Sequence, residues 1–322
     1  MKDPCNEIDD LNFDSKSDLK KLLFRDKHTR IEGLFTEHFF FEQIIKGQFQ
    51  EISSSWWFSM KDGSYHIIKL IVSINALTSF DIELLGHFAA SNSNTFIIAF
   101  NEDEKKFYYL RFKKEYKNFL VDNFDRLKKL YPKNKIKAHR LPDNERSFGR
   151  INQAIDYLES VGALKKCAIE RMFANCWLPD GFFWDIDFIV KHKTRFIAFE
   201  VKQKFPTRKG TWGLNIGLSK LFIYLNSIGI EVVHVILTKP LKDKTIPAID
   251  LYTKDEYKRN AKWIATKVKS AFTDLNLSVA PQYTSIYGNS SLSFYHLQPE
   301  IFSEIKKVNS STNTILSFLE KE

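Results

Sequence analysis

Apolar residues recur along this chain with two different periods, and the period changes from segment to segment. Residues 32–46 carry Leu34, Phe35, Phe39, Ile44 and Ile45 at helical spacing. Residues 65–74 are rich in Ile and Val and predict a strand. Residues 95–100 and 107–112 flank the polar run NEDEKK, which predicts a β-hairpin with a longer loop. Residues 114–130 read as a helix. Residues 1 to about 30 are charged and poorly periodic, and predict a ragged lead-in.

The stretch 131–150, YPKNKIKAHRLPDNERSFGR, holds two prolines and little apolar periodicity, so it reads as a linker. Beyond it the pattern is dense. Residues 151–160 and 163–175 look helical, broken at Gly162. Residues 184–190 and 196–202 look like paired strands, 214–226 like a helix and 231–237 like a strand in the same sheet. Pro240 and the charged run KPLKDKTIP close this part. Then come a helix over 254–272, a hairpin around Gly288-Asn289 and helices from Pro299 onward. The expected layout is α/β: an α+β domain at 1–150 suited to substrate recognition, a core of mixed sheet and helices at 151–240, and a mostly helical region with a hairpin at 241–322.

Composition narrows the partner. Lys and Arg number 48 against 39 Asp and Glu, a formal net charge of +9, which suits a polyanion such as nucleic acid. Lys enrichment through compositional drift accounts for the charge equally well. Cys5, Cys167 and Cys176 give neither a disulfide framework nor zinc-like Cys/His spacing. The N-terminus MKDPCNEIDD is too polar for a signal peptide, and the apolar stretches at 96–100 and 232–237 are too short to span a bilayer. A cytoplasmic protein without membrane contact is expected.

The tripeptide Glu-x-Lys occurs five times, starting at Glu104, Glu115, Glu200, Glu256 and Glu304, so by itself it means nothing. Context separates the copies. Four read as charged helical or loop sequence. Only Glu200-Val201-Lys202 ends an apolar strand, RFIAFEVK, and follows another strand that carries carboxylates, WDIDFIV. A turn at His192-Lys193 would set Asp185 opposite Glu200 and Asp187 opposite Ala198. Side chains alternate across a strand, so Trp184, Ile186, Phe188 and Val190 share an apolar face with Ile197, Phe199 and Val201. The other face gathers Asp185, Asp187, Glu200 and Lys202. Carboxylates crowded on one face repel unless a cation neutralises them. Mg²⁺ prefers such oxygen ligands, completes its shell with water and phosphate, and lowers the pKa of bound water. A neighbouring Lys can orient the water or balance transition-state charge. Either Asp185 or Asp187 could serve.

With these residues the segment 151–240 resembles the PD-(D/E)XK nuclease superfamily, which includes many restriction endonucleases and Holliday junction resolvases. Asp187 in D-I-D-F-I-V matches the metal-binding Asp of the first motif strand, and Glu200 and Lys202 match the E-x-K of the second. The helix and strand that follow match the family's order of elements. The resemblance implies a PD-(D/E)XK fold and an endonuclease using Mg²⁺, with Mn²⁺ as a substitute, on nucleic acid, expected to be DNA. It places the metal on Asp187 and Glu200, with Asp185 as rival and Glu170 as a further helical acid. The literal Pro179-Asp180 precedes the strand and reads as a turn.

Lys204, Arg208 and Lys209, in the loop KQKFPTRKGTWG, are positioned to grip flanking phosphates. Gly210 and Gly213 there imply mobile or closely approached backbone. Asn215, Ser219 and Asn226 form a polar stripe on the next helix that reads as a solvent face. The rival readings are a non-catalytic nucleic-acid-binding protein that keeps the fold without the metal, and an enzyme of another class. Protein partners or a homo-oligomer are both compatible with the sequence.

Overall fold

A computed structural model describes residues 8–24, 28–61, 63–113, 118–122, 145–177, 183–207, 210–239, 246–268, 277–280 and 292–321. Its contacts divide the chain into two units, one of Met1–Ile31 with Ser53–Ile186 and the other of Glu32–Ile52 with Asp187–Glu322.

The first unit holds five strands in the order β1 (Glu51–Lys61), β2 (Ser64–Ile71), β3 (Asn94–Asn101), β4 (Lys106–Lys113) and β5 (Asn118–Asp122). β2 and β3 run parallel, which needs a crossover. The helix Ser79–Ala90 supplies it. Its start is fixed by a capping box, in which Thr78 accepts from the Asp81 N–H and Asp81 accepts from the Thr78 N–H. Phe88 then packs on Trp56 and Phe58, anchoring the helix to the sheet. The hairpin expected over 95–112 is present as the antiparallel pair β3 and β4.

Two expectations fail in this unit. The supposed lead-in contains the helix Lys16–Leu23, which buries Leu19, Leu22 and Leu23; three apolar residues on one face outweigh its charges. The helix expected over 114–130 is not formed at Asn118–Asp122, which pairs antiparallel with β4. Of the proposed linker, 131–144 lies outside the described residues, and its last residues already belong to the helix Glu145–Ser160. Gly162, at φ +72°, separates that helix from Leu164–Met172 in the conformation a helix C-terminus favours.

In the second unit the sheet order is β13 (Ser303–Lys307), β10 (Lys262–Lys267), β9 (Ile230–Thr238), β7 (Arg195–Lys204) and β6 (Trp184–His192), the last reaching back three residues into the first unit. β7 and β9 are parallel and the other neighbours antiparallel. The helix Ile216–Ser227 makes the parallel crossover, so the hairpin, helix and strand stand as the hydrophobic pattern predicts. The helix His28–Phe40, continued by a π-helical turn Phe41–Ile45, places Phe40 against Phe188, Phe199 and Trp263. That cluster lies behind the catalytic candidates, on the face the alternation made apolar.

The mostly helical region expected at 241–322 is corrected. Two short helices, Asp250–Thr253 and Asp255–Lys258, give way to strand β10, and Pro299–Ile301 to strand β13. The run Trp263 to Thr266 is buried at every position, so both faces of β10 are covered, and a strand covered on both faces lacks the alternation that distinguishes strand from helix. β11 (Leu277–Ala280) and β12 (Leu292–Leu297) pair antiparallel as the expected hairpin, with β8 (Trp212–Asn215) on the far side of β12; Gly288-Asn289 lies outside the described residues. The chain is thus mixed α/β, with mixed sheets flanked by helices.

Cys167 is a free buried thiol, whereas Cys176 is disulfide-bonded, contrary to the expected absence of disulfides. Among the described residues no helix is long and apolar enough to cross a membrane.

Candidate active site

The hairpin that carries the acidic residues turns later than expected. His192 pairs with Arg195, so Lys193-Thr194 forms the turn, with Lys193 at φ +56°. Positive φ is what two-residue hairpin loops favour. The register therefore shifts by two residues from the expected one. An even shift preserves the faces, so the apolar and acidic sides stand. It changes the partners: one step beyond the last pair, Phe188 and Phe199, come Asp187 and Glu200.

There the Asp187 carboxylate replaces a main-chain acceptor. Its Oδ2 accepts the Val201 N–H at 2.6 Å, and Asp187 is only 7% exposed. Glu200 is 1% exposed, and the Lys202 ammonium stands 2.5 Å from its Oε1. Lys202 itself is one-third exposed, so the constellation runs from two buried carboxylates to an ammonium reaching solvent.

The parallel register adds a residue that sequence reasoning missed. Glu200 lies beside His234 of β9, which is fully buried. His234 Nδ1 donates to the Glu200 carbonyl at 3.1 Å, and Nε2 is buried with no hydrogen-bond partner among the described residues. Burial foremost, then the charge of Lys204, drives the imidazole pKa well below its ordinary value; the Glu200 bond opposes this and Lys202 adds to it. The ring is therefore neutral. A lone His inside the apolar run VVHVILT was the visible signal, but only the strand register shows what it adjoins.

The basic loop is placed in part. Lys204 donates to the Gly213 carbonyl at 2.5 Å, and burial, with Lys202 nearby, pushes its pKa down to about 8 against the pull of Glu200. Arg208 and Lys209 lie outside the described residues. Thr207 and Thr211 bond each other, and Thr211 bonds His296 of β12, so the described ends of this loop are tied down. A Cβ on Gly213 would stand 3.6 Å from the Phe294 ring, an ordinary van der Waals contact, so close approach does not demand this glycine; Gly210, at φ +79°, is the one whose backbone does.

The polar stripe is not a solvent face. Asn215 caps the helix by accepting from the Gly217 N–H, Ser219 is buried, and Asn226 donates to the Val268 carbonyl. Short polar side chains on this helix serve its ends and its interior.

Asp185 is exposed on β6, and Glu170 lies on Leu164–Met172; both belong to the first unit. Glu170 accepts a hydrogen bond from Ser55 and stands 3.7 Å from Lys166. Pro179-Asp180 lies outside the described residues. One rival Glu-x-Lys also sits on a strand, contrary to the reading of its context: Glu304 and Lys306 are in β13, where Glu304 pairs with Lys262 at 3.2 Å.

Among the described residues no group of three or more His, Cys, Asp or Glu is gathered as a metal cage. Mg²⁺ does not require one, because one or two carboxylates with water and substrate phosphate complete its shell. Asp187 and Glu200, oxygen donors at neighbouring strand positions with no sulfur nearby in sequence, fit that demand. No protein-family model, no curated protein and no solved structure matches this chain.

Proposed function

We propose that the chain is a metal-dependent nuclease of PD-(D/E)XK type that hydrolyses phosphodiester bonds in DNA. The observation that carries this reading is the register beyond Phe188 and Phe199, which brings Asp187 and Glu200 together with Lys202 beside them. Asp187 and Glu200 would hold Mg²⁺, or Mn²⁺ in its place. The ion, when bound, supplies a polarised phosphoryl oxygen and a more acidic water. Asp187, anchored by the Val201 N–H, keeps one carboxylate oxygen at a fixed orientation. Lys202 holds a positive charge at the edge of the site, where it can orient the attacking water or offset charge on the phosphate. Neutral His234 backs the Glu200 main chain without adding a competing charge. Arg208 and Lys209 are assigned to flanking phosphates, while Lys204, whose ammonium is taken up by the Gly213 carbonyl, is not.

One observation favours a second reading, a non-catalytic nucleic-acid-binding protein. Lys202 already pairs with Glu200, and the Val201 N–H already engages Asp187, so each carboxylate has a partner other than a cation. One experiment separates the two. Supercoiled, linear and single-stranded DNA, and RNA, are incubated with the protein in Mg²⁺, Mn²⁺ or EDTA. Cleavage that needs the ion and disappears in Asp187→Asn supports the nuclease. Binding without cleavage under every condition supports the alternative.

A further inference from the structure

The second unit contains a cavity of about 690 Å³ that the acidic hairpin does not line. It opens where two parallel strands end. Pro206, just beyond β7, and Thr238 and Lys239, at the end of β9, border it. Ligands of α/β sheets collect at the carboxyl ends of parallel strands, where the chain leaves the sheet and exposes main-chain groups. Lys204, which pairs with Thr238 in the ladder, lies four residues beyond Glu200, a distance of about 13 Å along an extended strand. A nucleic-acid strand lying across Glu200 and Lys202 therefore has its neighbouring nucleotides within reach of this opening.

The lining favours one kind of guest. Trp212 and Phe302 meet edge to face with centroids 6.2 Å apart, and Pro206, Pro299, Ile264 and Tyr257 complete the apolar surface. The charges sum to zero: Lys262 pairs with Glu304, Lys239 donates to the Ile246 carbonyl, and Glu256 balances it in number. A lining with two Lys and two Glu has no excess charge with which to hold a phosphate. Asn260, exposed at the rim, offers an amide with both donor and acceptor. Flat apolar walls, cancelled charge and a two-way amide suit a neutral heterocycle that stacks and hydrogen-bonds.

We propose that this cavity receives an unstacked base of the substrate strand, beside the nucleotide held at Glu200 and Lys202. The proposal rests on the nuclease reading for its neighbouring phosphate and names the substrate class: DNA with an unpaired stretch, such as a single strand, a flap or an overhang. A base paired in a duplex cannot enter. Stacking on aromatic side chains tolerates any base, so sequence preference at this position is weak.

The test uses the full chain in EDTA, where no cleavage competes. Single-stranded oligonucleotides with one 5-iodouracil at successive positions are irradiated and the crosslinked peptides identified. One position crosslinks to Trp212 or Tyr257, and the same base inside a fully paired duplex does not. Asn260→Ala, an exposed site, lowers the yield about fivefold, and Tyr257→Ala about tenfold, with the thermal midpoint unchanged. Crosslinks confined to other residues, or equal yields from duplex and single strand, overturn the proposal. Parallel cleavage in Mg²⁺ keeps the two readings apart. Crosslinking without cleavage retains the base site and removes the nuclease; cleavage of duplex and single strand alike, without these crosslinks, does the reverse.

Discussion

The Asp187 carboxylate accepts the main-chain N–H of Val201 at 2.6 Å, at the point where the ladder between β6 and β7 has ended. One side chain thus substitutes for a missing ladder bond and, on the nuclease proposal, would also serve as a charged oxygen donor. Two substitutions separate these roles. Asp187→Asn keeps an oxygen acceptor for Val201 and loses the charge, so it should cost under about 1 kcal/mol in urea unfolding. Asp187→Ala strands a buried N–H and should cost about 1–3 kcal/mol. Both should lose Mg²⁺ affinity in a calorimetric titration. Equal stability of the two variants would show that the Val201 bond contributes nothing.

Lys202 competes with a cation for Glu200, since its ammonium stands 2.5 Å from Oε1. Removing it takes a positive charge from the place where another must bind. Lys202→Met should therefore raise Mg²⁺ affinity while lowering cleavage about 10²- to 10³-fold, the range for losing one group that stabilises the transition state. Weaker metal binding in Lys202→Met would make the lysine a support for the metal site and not part of the chemistry.

The acidic hairpin was legible because alternation fixes faces, and a face survives any even error of register. Asp187 and Glu200 stayed on one side although the turn moved from His192-Lys193 to Lys193-Thr194. Which carboxylate stands beside Glu200 was not legible, because register depends on the turn. His234 was beyond reach, since a parallel partner 34 residues away is set by the crossover and not by local pattern. β10 was read as helix for a related reason: a strand buried on both faces shows no period of two. β13, an edge strand of five residues with one apolar side chain, is too short to show any period. The capping role of Asn215 was readable in principle, because Asn before an apolar helical run is an N-cap signal.

Lys204 gives a test in pH. Burial and Lys202 push its pKa down to about 8 from 10.5, so folding favours the neutral amine. For a lowered pKa the contribution to stability is full above 10.5 and is lost as pH falls through about 8. Below that pH the folded protein holds a charged amine that folding disfavours. Wild type should gain stability relative to Lys204→Met between pH 8 and 10.5, and the difference should be constant below 8. Lys69 is also lowered to about 8, but it is common to both proteins and cancels. Urea midpoints at pH 7, 8.5 and 10 measure this. A difference that does not change with pH would mean that the amine is solvated in the folded state.

The assignment of the first metal ligand rests on a contrast among three acids. Asp185 is exposed, two residues before Asp187 on β6. Glu170 is engaged by Ser55 and Lys166 within the first unit. Asp187 is buried, anchored by Val201, and next in register to Glu200. A hard cation gains most from carboxylates already oriented and shielded from water, because less ordering remains for binding to supply. Asp185→Ala and Glu170→Gln should therefore keep Mg²⁺ affinity and cleavage within a few-fold of wild type, while Asp187→Asn and Glu200→Gln lose both. DNA binding in EDTA should persist in all four, since the basic residues are unchanged and phosphate contacts dominate affinity. Loss of cleavage in Asp185→Ala with Asp187→Asn active would keep the hairpin as the site and exchange the ligand. Loss in Glu170→Gln with metal affinity intact would make that acid part of the chemistry. Wild-type cleavage in all four would move the active site away from this hairpin altogether.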